Sequence, residues 1–199
     1  MIIEYKISKE SNYKDLRWVI YPTGWIELDL SYRPSDYLFD HLGVSFSFPE
    51  RLVTGVRWMG DGPYRVWKNR TEGNSLNVWN KEYNNTITGY RGFIYPEFKG
   101  YYSRLYWVKV FTKEQPFTVV AASEDVFLRL FTPEFPEDAY NTAPAFPPGD
   151  ISFMHGIPSI GTKSQLPANL GPSGKKNMYF DYWKKRAKEM KLYFDFSGN

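Results

Sequence analysis

A chain of 199 residues, 42% hydrophobic and 19% aromatic, is long enough to bury a sizeable core within one domain. Its lack of cysteine excludes disulfides and thiolate metal sites, and a net charge of +3, interspersed with acids over most of the length, gives nucleic-acid binding little support. No apolar run approaches the roughly 20 residues of a membrane-spanning helix, and the amino terminus shows no signal-peptide pattern.

In chain order, the segments from Ile2 to Ser8 and from Leu16 to Tyr21 are apolar and β-prone. After Gly24, Ile26, Leu28, Leu30 and Tyr32 alternate with Glu27, Asp29 and Ser31, the period-two pattern of a strand with one wet face. Pro34 to His41 reads as a loop, Val44 to Phe48 as a strand stopped by Pro49, and Val53 to Met59 as the strand leading into a decorated turn. Thr71 to Asn85 is polar and long, which predicts a loop packed across a sheet end. Ile87 to Ile94, Leu105 to Thr112, Phe117 to Ser123 and Val126 to Phe131 are four further strand candidates. Pro136 to Tyr140 suits one helical turn ended by Pro144, Pro147, Pro148 and Gly149, and Ile151, Phe153 and His155 mark another strand. Gly156 to Gly174 is a Gly/Pro/Ser-rich loop, Met178 to Met190 suits a helix in its basic part, and Leu192 to Phe196 alternates as a closing strand. Many short strands with little helical periodicity predict a single all-β domain. The basic tail, including Lys184, Lys185 and Arg186, reads as a solvated charged face.

The run from Trp58 to Arg70 organises the chain. Gly60, Gly62 and Pro63 follow an apolar strand and predict a tight turn, glycine also permitting close backbone approach. Arg65 and Arg70 carry planar forks suited to carboxylates or backbone carbonyls. Tyr64, Trp67 and Trp79, with Trp58, are the candidates for stacking on a sugar ring. Their competing reading is structural, with Trp58 and Trp67 as core plugs behind the turn, since large aromatics are mostly buried.

This run resembles the Trp-x-Gly-x-Gly-Pro-x-Glu-Asn-Tyr-x-Asp-Arg signature of the C-terminal β-sandwich, or small-chain, domain of family 2 β-galactosidases. Trp58, Gly60, Gly62, Pro63 and Arg70 match, and Trp67 stands at an aromatic position, while Arg65, Val66 and Asn69 replace the commoner Glu, Asn and Asp. Tyr95 to Gly100, Phe127 to Pro144 and Ile151 to Gly161 follow in the family's order. The resemblance implies a large antiparallel β-sandwich of the supersandwich, galactose mutarotase-like type, a bacterial source, and a C-terminal fragment of a longer glycoside hydrolase. It also places the catalytic carboxylates in an upstream barrel, for which this chain has no alternating βα pattern.

The expectation is therefore a non-catalytic domain without cofactor or metal, packed on the catalytic barrel of the same parent and shaping a pocket for a galactoside or polysaccharide. No nucleic acid or membrane partner is expected. The loops Gly60 to Arg70 and Ile157 to Gln165 belong nearest the sugar, with Tyr64, Arg65, Trp67, Trp79 and Gln165 as candidate contacts. Within Gly161 to Gln165 there is no Trp or Tyr, so an aromatic that the family brings to the pocket rim is missing from this stretch. Two alternatives stay open: a carbohydrate-binding module with an aromatic platform, and an aldose epimerase or mutarotase using His41 or His155 as acid/base. Two isolated histidines are too few for a metal site, and His155 shares inward parity with Ile151 and Phe153, which also suits a packed structural role. Asn69-Arg70-Thr71 and Asn84-Asn85-Thr86 fit the N-glycosylation pattern, which carries no meaning in a bacterial protein. The compartment stays open, the periplasm or cell exterior being those considered for the parent.

Overall fold

The computed structural model describes residues 1–5, 7–8, 11–85, 94–134 and 145–198. Period-two alternation builds the strands, because successive side chains point to opposite faces. β1 (Ile2–Glu4), β2 (Tyr13–Ile20), β3 (Ile26–Tyr32), β6 (Val53–Gly62), β7 (Ser75–Glu82), β9 (Trp107–Thr112), β10 (Phe117–Ala121) and β14 (Lys188–Asp195) form an eight-stranded sheet in the order β1-β2-β3-β14-β10-β9-β6-β7. β5 (Leu42–Phe46), β8 (Gly100–Tyr102), β11 (Phe127–Leu130) and β12 (Ile151–Gly156) form a four-stranded sheet in the order β5-β12-β11-β8. β4 (Leu38–Phe39) and β13 (Asn177–Met178) pair as a separate two-stranded ribbon. The pairings are antiparallel, and among the described residues there is no α-helix, so the chain is a large antiparallel β-sandwich.

The two sheets bury one another's apolar faces. Leu28 and Leu30 of β3, Met190 and Leu192 of β14, and Val108 and Val110 of β9 meet Val44, Leu128, Leu130 and Phe153 of the smaller sheet in one core. Rings cross the interface: Phe46 lies 5.5 Å from Phe194, and Trp58 lies 5.0 Å from Tyr102. Each ring pair adds about 0.5–1.5 kcal/mol beyond its burial. On the wet face of the large sheet, Asp29 receives Arg17 and Lys191 from its two neighbouring strands at 3.3 Å each, a cross-strand charge ladder. The closing strand is not at an edge. β14 lies between β3 and β10 and completes the middle of the sheet.

Three expectations are corrected. Ser75–Glu82, within the predicted loop, is a strand paired with β6 from Gly55↔Glu82 to Gly62↔Ser75. It is the edge of the sheet, where Asn and Glu facing water are tolerated and the apolar signal is weak. Met178 to Met190 contains no helix. Instead, hydrogen-bonded turns cover Tyr179–Lys185 and β14 starts at Lys188. Lys185 takes a left-handed φ of 55°, which a continuing helix excludes, and buried Tyr179 and Met190 anchor the segment at both ends. The predicted loop Pro34 to His41 contains the short strand β4. The strand expected over Ile87 to Ile94 (apart from Ile94) and the helical turn expected over Pro136 to Tyr140 lie outside the described residues, as do Pro144 and Thr86.

Candidate functional site

The predicted tight turn at Gly60-Asp61-Gly62-Pro63 is also corrected, because β6 runs through Gly62. Its glycines serve close approach. A Cβ at Gly60 would sit 2.9 Å from the Arg104 carbonyl oxygen, and one at Gly62 would sit 2.6 Å from Cδ1 of Trp79 and 2.8 Å from Cζ2 of Trp58. Trp58, at 0% exposure, is a core plug that donates its indole N–H to the Asp61 carbonyl at 3.2 Å.

After Pro63 the chain leaves the sheet and folds over the outer face of the four-stranded sheet. Val66 bridges to Tyr101 of β8, its N–H donating to the Tyr101 carbonyl at 2.7 Å. The tight turn comes later, where Trp67 and Arg70 exchange backbone hydrogen bonds of 2.9 Å. Beneath it lies a second apolar cluster of Val66, Trp67, Tyr101, Met154, Ile157 and Ile160. Trp67 is 4% exposed, packed edge-on to Tyr101 at 5.3 Å and Phe146 at 5.6 Å.

This loop is stitched to the late loop. Lys68 N–H donates to the Pro158 carbonyl at 3.0 Å, and the Asn69 carboxamide both donates to the Ile160 carbonyl and accepts from the Ile160 N–H, each at 2.9 Å. Arg70 donates to the Gly161 carbonyl at 2.9 Å. Gly60–Arg70 and Ile157–Gln165 thus form one unit. Beyond it, Lys68 Nζ holds the carbonyls of Lys175 and Lys176 at 2.8 and 3.1 Å. A cleft of about 290 Å³ opens there, lined by Pro158, Ser159, Leu166, Pro167 and Lys176 among others.

Arg65 pairs with Glu97 at 3.0 Å, both side chains 9% exposed, and its guanidinium lies 5.8 Å from the centre of the Trp67 ring. Burial pulls Arg65 below its usual pKa and Glu97 opposes this. Tyr64 is half-buried, stacked on exposed Tyr95 at 5.1 Å. Trp79 packs against the main core and donates its indole N–H to the Ser75 carbonyl at 3.2 Å. Tyr64, Trp67 and Trp79 therefore pack on three different sets of neighbours. Gln165 is exposed, its carbonyl accepting from Thr162 N–H at 2.9 Å.

The residues that sequence reasoning passed over are the ones doing the holding. Asn69 stood out only as a departure from a pattern, yet it is the clamp on Ile160. Lys81 lay in the supposed loop. Its ammonium donates to the Pro63 and Glu97 carbonyls and to the Tyr102 hydroxyl at 2.7, 3.0 and 3.0 Å, and it faces the Tyr102 ring at 4.8 Å. Burial pushes its pKa down to about 7, against the pull of Glu97. The signal available for Lys81 was its place opposite Val56 on a hairpin, invisible until the strand is paired.

His155 Nδ1 and the Tyr32 hydroxyl are hydrogen-bonded at 2.7 Å with the rings stacked at 5.9 Å, and burial takes the His155 pKa down to about 4, aided by Lys188. His41 lines a different cleft, and burial lowers its pKa also. Among the described residues no group of three or more His, Asp or Glu is placed to hold a metal ion.

Fold and loops together define an all-β sandwich domain whose smaller sheet is covered on its outer face by clamped loops. The chain belongs to the family described as "Beta galactosidase small chain", whose model matches residues 1–153. The match takes in the Trp58 to Arg70 signature and the first residues of the chain, and stops before the late loop that the signature holds. No curated protein matches the chain.

Proposed function

We infer that this chain is a non-catalytic wall of a β-galactosidase, the C-terminal part of a glycoside hydrolase. It packs against the catalytic large chain and shapes one side of the galactoside pocket through Gly60–Arg70 and Ile157–Gln165. The observation that supports this most is the two-way bond between Asn69 and Ile160, joined by the Arg70 to Gly161 contact. A signature spent on fixing the shape of a second loop suits a surface that must present that loop accurately to a partner, because a site 1 Å out of place loses much of its effect.

The test is hydrolysis of a galactoside by the catalytic chain with and without this chain, and with its Arg70→Ala form. The chain should raise the rate, and Arg70→Ala should raise KM severalfold with a smaller change in kcat. A catalytic chain whose activity and stability ignore this partner would defeat the reading.

A further inference from the structure

The ribbon of β4 and β13 stands outside both sheets and presents two unlike faces. Inward, Phe39 packs edge-on against buried Tyr179 at 6.5 Å. Outward, Phe180 is 78% and Trp183 77% exposed, with Leu38 and Met178 also open to water. Tyr37 lies 6.2 Å from Trp183 and 6.3 Å from Tyr182, so the rings form a row. Tyr37 and Tyr182 are half-buried and Trp183 stands out from them, so the row offers ring surface to water at one end, with exposed Phe180 near it in sequence, and exposed apolar surface of this kind marks binding sites.

Charge is concentrated on the same segment. Between Lys175 and Lys188 the sequence holds six basic residues and one acid, whereas the whole chain carries only +3, so the remainder is net negative. Asp181 faces Lys184 and Arg186 at 3.8 and 3.9 Å, and Lys176 pairs with Asp40. Lys175, Lys185 and Lys188 have no carboxylate within ion-pair distance among the described residues. A local cationic surface beside rings selects an anionic ligand.

A cleft of about 300 Å³ adjoins the row, lined by Tyr13, Tyr32, Arg33, Ser35, Phe39 and His41 among others. The junction is Ser35, whose carbonyl accepts from the Tyr182 hydroxyl at 3.3 Å. Among the described residues Arg33 has no ion pair and the buried His41 Nδ1 has no hydrogen-bond partner. Tyrosine and phenylalanine rings offer apolar faces to the C–H side of a sugar ring, and a guanidinium fork fits a carboxylate. The volume suits a single sugar residue, at the small end of ligand pockets, which a flat protein surface would leave unfilled.

We propose that this face binds an acidic polysaccharide, a uronate-bearing glycan chain, with one sugar carboxylate at Arg33 in the cleft and the following sugars along Tyr37, Tyr182 and Trp183. The proposal does not rest on the pocket-wall role.

The test is calorimetric titration of the whole chain with tetragalacturonate and, in parallel, with neutral galactotetraose, using wild type, Trp183→Ala and Arg33→Gln. Trp183 is exposed, so its removal leaves the fold intact, which near-ultraviolet circular dichroism checks for both variants. Saturable binding at least tenfold tighter for the acidic tetramer, weakened tenfold or more by each substitution, is the expected result. Equal affinity for both tetramers, no saturation, or full binding by Trp183→Ala overturns the proposal. So does a complex with an acidic protein that Trp183→Ala abolishes while no glycan titrates, which would assign the face to protein docking.

Discussion

The Asn69 carboxamide and the Ile160 backbone, 91 residues apart in sequence, hold each other by two hydrogen bonds of 2.9 Å. A carboxamide can do this because it carries a donor and an acceptor on one planar group, whereas a carboxylate has acceptors alone. The residue that departs from the commoner aspartate is thus matched to both backbone groups it meets.

Asn69→Asp keeps the shape and the bond from the Ile160 N–H, but turns a carboxylate oxygen onto the Ile160 carbonyl. Local opening of the late loop should become easier by about 1–2 kcal/mol, the cost of a hydrogen bond exchanged for a mismatch. Hydrogen exchange at the Ile160 amide should accelerate roughly tenfold, since 1.4 kcal/mol is a factor of ten. Unaltered exchange would show that the clamp contributes nothing.

Gly62→Ala places a methyl group against two indole rings, 2.6 Å from Trp79 and 2.8 Å from Trp58. One ring must move, at about 1–3 kcal/mol for overpacking. Chemical denaturation should show that loss, with a change in tryptophan emission of the native state. A native emission spectrum and midpoint equal to those of wild type would contradict the close approach.

Removing residues 188–199 takes β14 out of the middle of the large sheet and uncovers Leu28, Leu30 and Val119 while deleting Met190, Leu192 and Phe194. Three buried apolar side chains are worth about 1.5–3 kcal/mol each, a sum comparable with the whole stability of an ordinary domain. The shortened chain should lack dispersed amide resonances and a cooperative thermal transition. Retention of both would mean that the sheet closes without its central strand.

His155 provides a pH test. Its folded pKa, about 4, lies below the ordinary 6.5, so between those values the unfolded chain binds the extra proton. Stability should rise as pH increases from about 4 to 6.5, by roughly 1–3 kcal/mol after allowance for partial exposure. His155→Gln offers the Tyr32 hydroxyl both a donor and an acceptor and does not titrate. Subtracting its unfolding free energies from those of wild type removes the shared carboxylate titrations. A difference that stays flat from pH 4 to 6.5 would sink the assignment.

Strand alternation made much of the sandwich legible. Leu28, Leu30 and Tyr32 on one side and Asp29 and Ser31 on the other can describe only a half-buried strand. Ser75–Glu82 escaped because an edge strand needs burial from one neighbour only, and Asn77, Asn80 and Glu82 dilute its pattern. Lys184, Lys185 and Arg186 suggested helix by local propensity, but the turn beside them is tied to the Ser35–Tyr37 segment by the Tyr179 N–H to Tyr37 carbonyl and Tyr182 hydroxyl to Ser35 carbonyl bonds, which no local window contains. At the loops, the forks of Arg65 and Arg70 were readable as holders of carboxylate and carbonyl, and they hold Glu97 and Gly161. Which loop they would hold depended on a meeting of segments far apart in the chain, set by the register of β8, β11 and β12.

The cluster around Trp67 and Ile160 is roofed by loop backbone rather than by a third sheet, with the Val66 to Tyr101 bridge as a point of continuity with the strands. Segments joined by few ladder bonds open at lower free energy than the sheets beneath them. Local opening of the roof while the walls stand is therefore the expected first step on heating. Any activity that leans on the roof would fade on warming before the spectroscopic transition of the sandwich begins, a heat-sensitivity located in the two clamped loops.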